Sequence, residues 1–208
     1  MSGRYPSPVP PRTQSERKQA TVTALLSAAR NLLVRDGYAA TSLDEVVARA
    51  GLTKGALYHH FAGKQALFRA VYEQELQRML AMIEDRASKG RGQKRAWDGL
   101  QAACEAFLDA SLDPAIQRIT LLDAPTALGW ETMREIENNT SLRLLKQALK
   151  QAMAEGSITP RAVDPLANLL FGAMCEAAMA IAREPNQTAN ARRTRTELRR
   201  LLKAVAAR

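Results

Sequence analysis

The sequence predicts an all-α protein, with an N-terminal three-helix unit followed by a larger C-terminal helical domain, about nine helices in all. Apolar residues recur every three or four positions along most of the chain, with little β-branched alternation. Gly37, Gly51 and Gly156 stand where these runs stop, not inside them. The 208 residues suffice for one small and one medium domain in a compact unit.

The first helix carries Val22, Leu25, Leu26, Ala29, Leu32 and Leu33 on one face and ends at Gly37. Ser42 and Glu45 are spaced as a capping box that opens a second helix. Its apolar face is Leu43, Val46, Val47 and Ala50, and Gly51, which tolerates positive φ, stops it. Thr53 is a good N-cap for a third helix of about two turns, whose Leu57 and Phe61 can pack on the second. Ala48 is small where the two helices must cross closely.

A long fourth helix begins near Lys64, carries Phe68, Val71, Tyr72, Leu76, Met79, Leu80 and Ile83, and breaks at residues 88–92. Trp97, Leu100, Cys104, Phe107, Leu108 and Ser111 give a fifth. Pro114 opens a short sixth running to about Leu122. Residues 124–129, with Pro125, read as a loop. One long seventh helix then spans Trp130 to Met153 and is ended by Gly156. The eighth runs from about Val163 to Ala182, and a ninth carries Leu198, Leu201, Leu202 and Val205. The expected divisions are an N-terminal arm over 1–15, a helix-turn-helix unit over 16–64 and the helical domain over 65–208.

The formal net charge is +9, and its distribution is uneven. Residues 1–64 hold nine Lys/Arg against four Asp/Glu, residues 190–208 hold seven against one, and the middle is slightly acidic. The N-terminal excess suits nucleic acid. The C-terminal cluster Arg192, Arg193, Arg195, Arg199, Arg200 and Lys203 is interleaved with leucines at helical spacing and reads as a solvated helix face. Four prolines in the first eleven residues favour an extended arm. Arg4 and Arg12 on it can be set either to reach a minor groove or to no role at all.

Cys104 and Cys175 lie far apart in apolar helical patterns, against a disulfide framework or a metal site, and point to a reducing cytoplasm. The only histidines, His59 and His60, are adjacent and face different ways on a helix, which is poor for metal binding. No nucleophile has a base and orienting acid in the pattern, so the expectation is no enzyme, no cofactor and no metal.

The outer face of the third helix, Thr53, Lys54, Gly55, Ala56, Tyr58 and His59 with His60 and Lys64 at its far end, is not needed for a core. Hydroxyls and amines suit phosphates, Lys can read guanine O6/N7, and Ala can touch a thymine methyl, so this face suits a major groove. The segments Thr41 to Ala48 and Ala50 to Phe61 with Lys64, preceded by Ala28, Ala29, Leu32, Leu33, Gly37 and Tyr38, resemble the tetracycline-repressor (TetR) family of bacterial transcription regulators over about residues 17–77.

The resemblance implies DNA contacts at Thr41, Thr53, Lys54, Gly55, Ala56, Tyr58, His59, His60 and Lys64. Tyr58 and Lys64 would be phosphate anchors; Lys54, Gly55, Ala56 and His59 would be base readers. On the helices that surround the ligand in that family lie Trp97, Cys104, Phe107, Arg118, Leu121, Leu122, Trp130, Met133 and Glu137, which also read as plain core. The implied function is a repressor that binds a near-palindromic double-stranded operator as a homodimer and is released by a small molecule; the alternative is an activator or regulator with no such trigger.

The eighth helix is apolar nearly all round. A membrane span competes on length, but Asn168 and Glu176 lie within it and no anchor residues flank it. Burial on several sides is expected instead, either inside a monomer or in a four-helix interface with a second copy. The interface version uses Leu166, Leu170, Ala173, Met174, Ala177, Ile181, Leu198, Leu201, Leu202 and Val205. Glu176 has three open roles: its own copy, an Arg across the interface, or a ligand.

Overall fold

The computed structural model describes residues 13–88 and 95–206, so residues 1–12 of the expected arm, with Arg4 and Arg12, and most of the expected 88–92 break lie outside the described residues. These residues form eleven α-helices and one π-helical segment, with no strand among them.

Helix α1 spans Gln14–Ala40, so the expected arm gives way to helix before residue 16. Thr13 and Glu16 form a full capping box there, each side chain satisfying the other's backbone N–H. Gly37 interrupts α1 at φ +81°, ψ 172°, and one further turn follows it to Ala40. Thr41 seals that turn: its backbone N–H and its hydroxyl both donate to the Gly37 carbonyl, at 3.2 and 2.8 Å.

Helix α2 spans Leu43–Ala50 and α3 spans Lys54–His60, joined through Gly51 at φ +67°. Only half of the second capping box forms. Ser42 Oγ accepts from Glu45 N at 3.1 Å, but the Glu45 carboxylate pairs with Arg35 at 2.7 Å instead of returning to Ser42. Val46 and Leu57 are fully buried between these helices and α1.

Helix α4 runs Lys64–Ser88 and α5 Ala96–Ala110. Pro114–Ile116 (α6) is capped by Asp113, whose carboxylate accepts from Ala115 N and Ile116 N at 2.8 and 3.1 Å. The π-helical segment Gln117–Asp123 and helix α7, Ala124–Leu128, follow without a break. The loop expected over 124–129 is therefore helical as far as Leu128, and Gly129, at φ +77°, is the one non-helical residue between α7 and α8. Pro125 falls in the first turn of α7, where the π-helical segment gives way to α-helix.

The expected long seventh helix is two, α8 Trp130–Asn139 and α9 Ser141–Ala154, parted at Thr140 with φ −128°, ψ −104°. Apolar periodicity continues across the break and hides it. The local signal was Asn138, Asn139 and Thr140, short polar residues that compete with the helix for backbone groups. Helices α10, Val163–Arg183, and α11, Gln187–Ala206, complete the chain.

Two apolar cores organise the helices. One joins Leu25, Leu32, Val46 and Leu57 of the first three helices to Phe68, Val71 and Tyr72 of α4, and on to Ile116, Ile119 and Ala127. The other unites α5, α9, α10 and α11 through Leu108, Leu149, Ile181 and Leu202. Full burial of each such side chain contributes about 1.5–3 kcal/mol. The first core crosses the boundary expected at residue 64, so the N-terminal unit sits on α4 and not on a free hinge. A bidentate pair from Arg30 to Glu75, at 2.5 and 3.3 Å, with Glu75 1% exposed, fastens α1 to α4 within this core.

Helix α10 is long and apolar enough to cross a membrane by length and composition. One side, with Ala167, Leu170, Met174, Ala178 and Ile181, is buried in the second core; the other leaves Leu169, 73% exposed, with Gly172, Ala173, Glu176 and Ala180 outside. Of the interface residues expected from the sequence, Leu170, Met174, Ile181, Leu198 and Leu202 are instead core of the single chain. They point to α5 and α9, because α10 and α11 pack on those helices from one side. The basic face of α11 is partly ion-paired: Arg195 binds Asp109, and Arg199 grips Glu105 with two hydrogen bonds of 2.6 and 2.5 Å.

Candidate nucleic-acid interface and effector cavity

Helix α3 is held by its inner side and open on its outer side. Leu57 is fully buried, and Phe61 ends the helix with its N–H on Leu57 O at 2.9 Å. Thr53 Oγ1 caps the helix by accepting from Ala56 N at 3.2 Å, which leaves its proton free to donate. Thr53, Lys54, Gly55, Tyr58 and His59 are exposed, Tyr58 at 56%, while Ala56, His60 and Lys64 are half-buried.

Lys54 reaches across the turn to Asp44 at 2.7 Å. Both groups stand in solvent, so the pair holds the amine only weakly. Burial, then His59 and Lys18, keep the His60 pKa below its ordinary value. Gly55 has no packing reason for lacking a side chain: an added Cβ would meet only Thr53 Oγ1, at 3.8 Å.

Two expected members of this face have structural work of their own. Thr41 is 4% exposed and committed to Gly37, away from the outer face, because it closes the end of α1. Lys64 Nζ donates to Ala39 O at 3.2 Å and lies 4.5 Å from the Tyr38 ring centroid, which ties the start of α4 to the end of α1.

The same corner meets the body of the molecule. Asp123 accepts from Tyr38 N at 2.7 Å and from Arg118 Nε at 3.2 Å, while Arg118 donates to Asp36 O at 3.3 Å. Gln65 of α4 donates to Ala127 O at 2.8 Å. The π-helical segment and α7 therefore hold the base of the helix-turn-helix unit through specific hydrogen bonds, not through apolar contact alone.

A cavity of about 530 Å³ opens between α4, α5, α9 and α10. Of the pocket residues expected from the sequence, Cys104 and Phe107 line it. Trp97, Arg118, Leu121, Leu122, Trp130, Met133 and Glu137 do not. Trp97 and Leu121 are core, Met133 packs in the first core, and Leu122 and Trp130 are exposed. Arg118 serves the corner described above.

Glu137 is buried beside Arg134 at 3.4 Å, and burial raises its pKa. The wall that the sequence reading missed includes Met79, Ile83, Leu100, Leu144, Ala148 and Phe171. One signal was present: α4 carries Met79, Leu80, Met82 and Ile83, a wider apolar arc than one core-facing stripe needs. No group of three metal-ligating side chains occurs among the described residues.

An exposed short helix braced across a glycine turn, mounted on a helical body with an apolar cavity, defines a helix-turn-helix DNA-binding regulator. The family model for bacterial regulatory proteins of the tetR family matches residues 25–71, and the one for the tetracyclin repressor-like C-terminal domain matches residues 97–205. The chain belongs to the TetR family of transcriptional regulators, and is a DNA-binding protein, not an enzyme.

It is 31% identical over 159 residues to the transposon Tn10 TetC protein of Escherichia coli, covering 76% of this chain and 79% of that one. A crystallised TetR-family regulator from Pectobacterium atrosepticum is 31% identical, with a TM-score of 0.79 over 95% of this chain and 99% of its own. The fold is also that of the regulator FadR from Bacillus subtilis, solved with stearoyl-CoA, at 16% identity and a TM-score of 0.67 over 85% and 96% of the two chains.

Proposed function

We propose that this chain is a cytoplasmic homodimeric repressor that occupies a near-palindromic operator and leaves it when a small molecule enters the cavity. The observation that carries the reading is the double use of α4. Its Leu67 and Phe68 share a core with the helix-turn-helix unit, while Met79, Ile83 and Ala87, about three to five turns further on, form one wall of the cavity. A ligand that moves that wall acts on the base of the reader without a separate linkage. That FadR was solved with stearoyl-CoA supports a ligand-holding body for this fold.

The DNA contacts in this reading are Thr53, Lys54, Gly55, Ala56, Tyr58, His59 and, from the flank, His60 and Lys64. The exposed strip Leu169, Gly172, Ala173 and Ala180 of α10, with Leu201 of α11 (46% exposed), supports pairing with a second copy, because its small residues permit close approach of helices. Paired readers then meet half-sites one DNA turn, or a multiple of it, apart.

Gel retention of the chain's own upstream DNA, with and without cell-extract metabolites or apolar drugs, tests the reading. Release by a compound supports the sensor; retention against every compound leaves a regulator without a trigger. Light scattering should give twice the 22.8 kDa chain mass, and a single-chain mass at micromolar concentration removes the dimer.

A further inference from the structure

The cavity wall is one-sided in its chemistry. Among its eighteen described residues only Glu84, Ser141 and Gln151 carry a side-chain oxygen or amide, and none is Lys, Arg or His. Gln151 already donates its amide to Glu155, at 2.9 Å. The remainder are alanines, leucines, methionines, phenylalanines, one isoleucine, one glycine and one cysteine. An anion moved from water into such a wall loses its hydration and finds no cationic side chain among these described lining residues; Arg134, 5.8 Å from the Phe171 ring, is already bound to Glu137 and Asn168. The one formal charge on the wall, Glu84, repels it further.

The cavity's own thiol behaves the same way. Cys104 is buried against this wall, and burial, with Glu105 adding to it, pushes its pKa up to about 12, so a negative charge is poorly tolerated here.

Resting on the reading of this cavity as the effector site, we infer that the effector is a predominantly apolar molecule whose buried part carries no negative charge. A neutral or cationic hydrophobic compound fits; a carboxylate, sulfonate or phosphate seated among Phe107, Leu100 and Phe171 does not. One neutral hydroxyl or carbonyl can be met by the Ser141 hydroxyl at the start of α9. Selection works by exclusion: the wall supplies hardly any hydrogen bonds to tell apolar ligands apart, but it penalises every buried anion.

Two fluorescent probes of one skeleton separate the alternatives. N-phenyl-1-naphthylamine is neutral, and 8-anilino-1-naphthalenesulfonate adds one sulfonate to the same rings. Titrated into the full chain, the neutral probe should bind saturably at one site per chain, at least about tenfold more tightly than the sulfonate. Ala103→Trp on α5 and Ala148→Trp on α9 each fill part of the cavity from a different helix, and circular dichroism identifies the variants that keep the fold. Neutral-probe binding should fall by about tenfold or more in a folded variant.

Equal or tighter binding of the sulfonate, lost in the same variants, overturns the charge rule and leaves the sensor reading intact. Absence of binding by both probes overturns the charge rule and the sensor reading together. Neutral-probe binding unchanged in folded Ala103→Trp and Ala148→Trp places the probe elsewhere and overturns the inference.

Discussion

Gly37→Ala probes the junction on which the reader rests. At φ +81° and ψ 172° Gly37 occupies a region essentially reserved for glycine, and forcing an L-residue there costs about 1–3 kcal/mol. The new methyl adds a collision: an ideal Cβ would stand 1.6 Å from Arg118 Nη2. Arg118 is long and its side chain is 40% exposed, so its guanidinium swings away instead of distorting the backbone. That motion gives up its hydrogen bonds to Asp36 O and Asp123, about 1 kcal/mol together at a partly exposed site.

The total is about 2–4 kcal/mol, or roughly 5–15 °C in Tm for a chain of this length. Urea unfolding at fixed protein concentration, followed by circular dichroism, measures it. A loss below about 0.5 kcal/mol would refute the claim that the junction demands this backbone conformation. The two parts separate in an Arg118→Ala background, where Gly37→Ala should retain only the backbone portion; strict additivity of the two changes would remove the side-chain part.

Gly55→Ala should stabilise α3 by about 0.5–1 kcal/mol while weakening DNA binding, because a Cβ there makes only an ordinary contact with Thr53 Oγ1 in the free protein and meets the groove in the complex. Unchanged DNA affinity in gel retention would mean that nothing approaches Gly55 closely. Lys64→Ala should weaken binding to all sequences alike and reduce the salt slope by about one, whereas Lys54→Ala should relax preference at one base pair by about tenfold or more. Equal losses on operator and random DNA for Lys54→Ala would deny it a base-reading role.

Glu137→Gln tests the buried carboxyl. Its folded pKa lies above the ordinary 4.5, so the folded state favours the proton. Stability from this group is therefore present below the ordinary pKa and lost as pH rises through the raised one. The Gln variant should gain on the native chain as pH rises from 4 to 7, read as the difference in Tm across that range. A difference that stays constant would show that folding does not raise the pKa of this carboxyl.

The helix-turn-helix segment was legible because its determinants are local. Thr53 caps its own helix through Ala56 N, Gly51 takes the positive φ the turn requires, and Leu57 lies on the inner side of so short a helix that the remaining residues have to face outward. The Thr140 break and the π-helical run into α7 were not legible by period alone. Both preserve apolar spacing, and what marks them is a change in backbone hydrogen bonding. The residues assigned to ligand and dimer surfaces fared worst: Leu170, Met174 and Ile181 are apolar like their exposed neighbours Leu169 and Ala173, and only the direction of packing tells core from surface.

By itself, then, the sequence determined the helical class, the position of the reader and its outward residues, since each depends on contacts within a few positions along the chain. Tertiary structure alone decided that Thr41 faces inward, that Arg118 and Asp123 clasp the break in α1, and that the cavity is walled by α4, α5, α9 and α10. The hydrogen bonds of that clasp join residues as many as 85 positions apart. Helical periodicity assigns a side chain to a face, but the partner helix that covers the face is chosen by how the whole set packs.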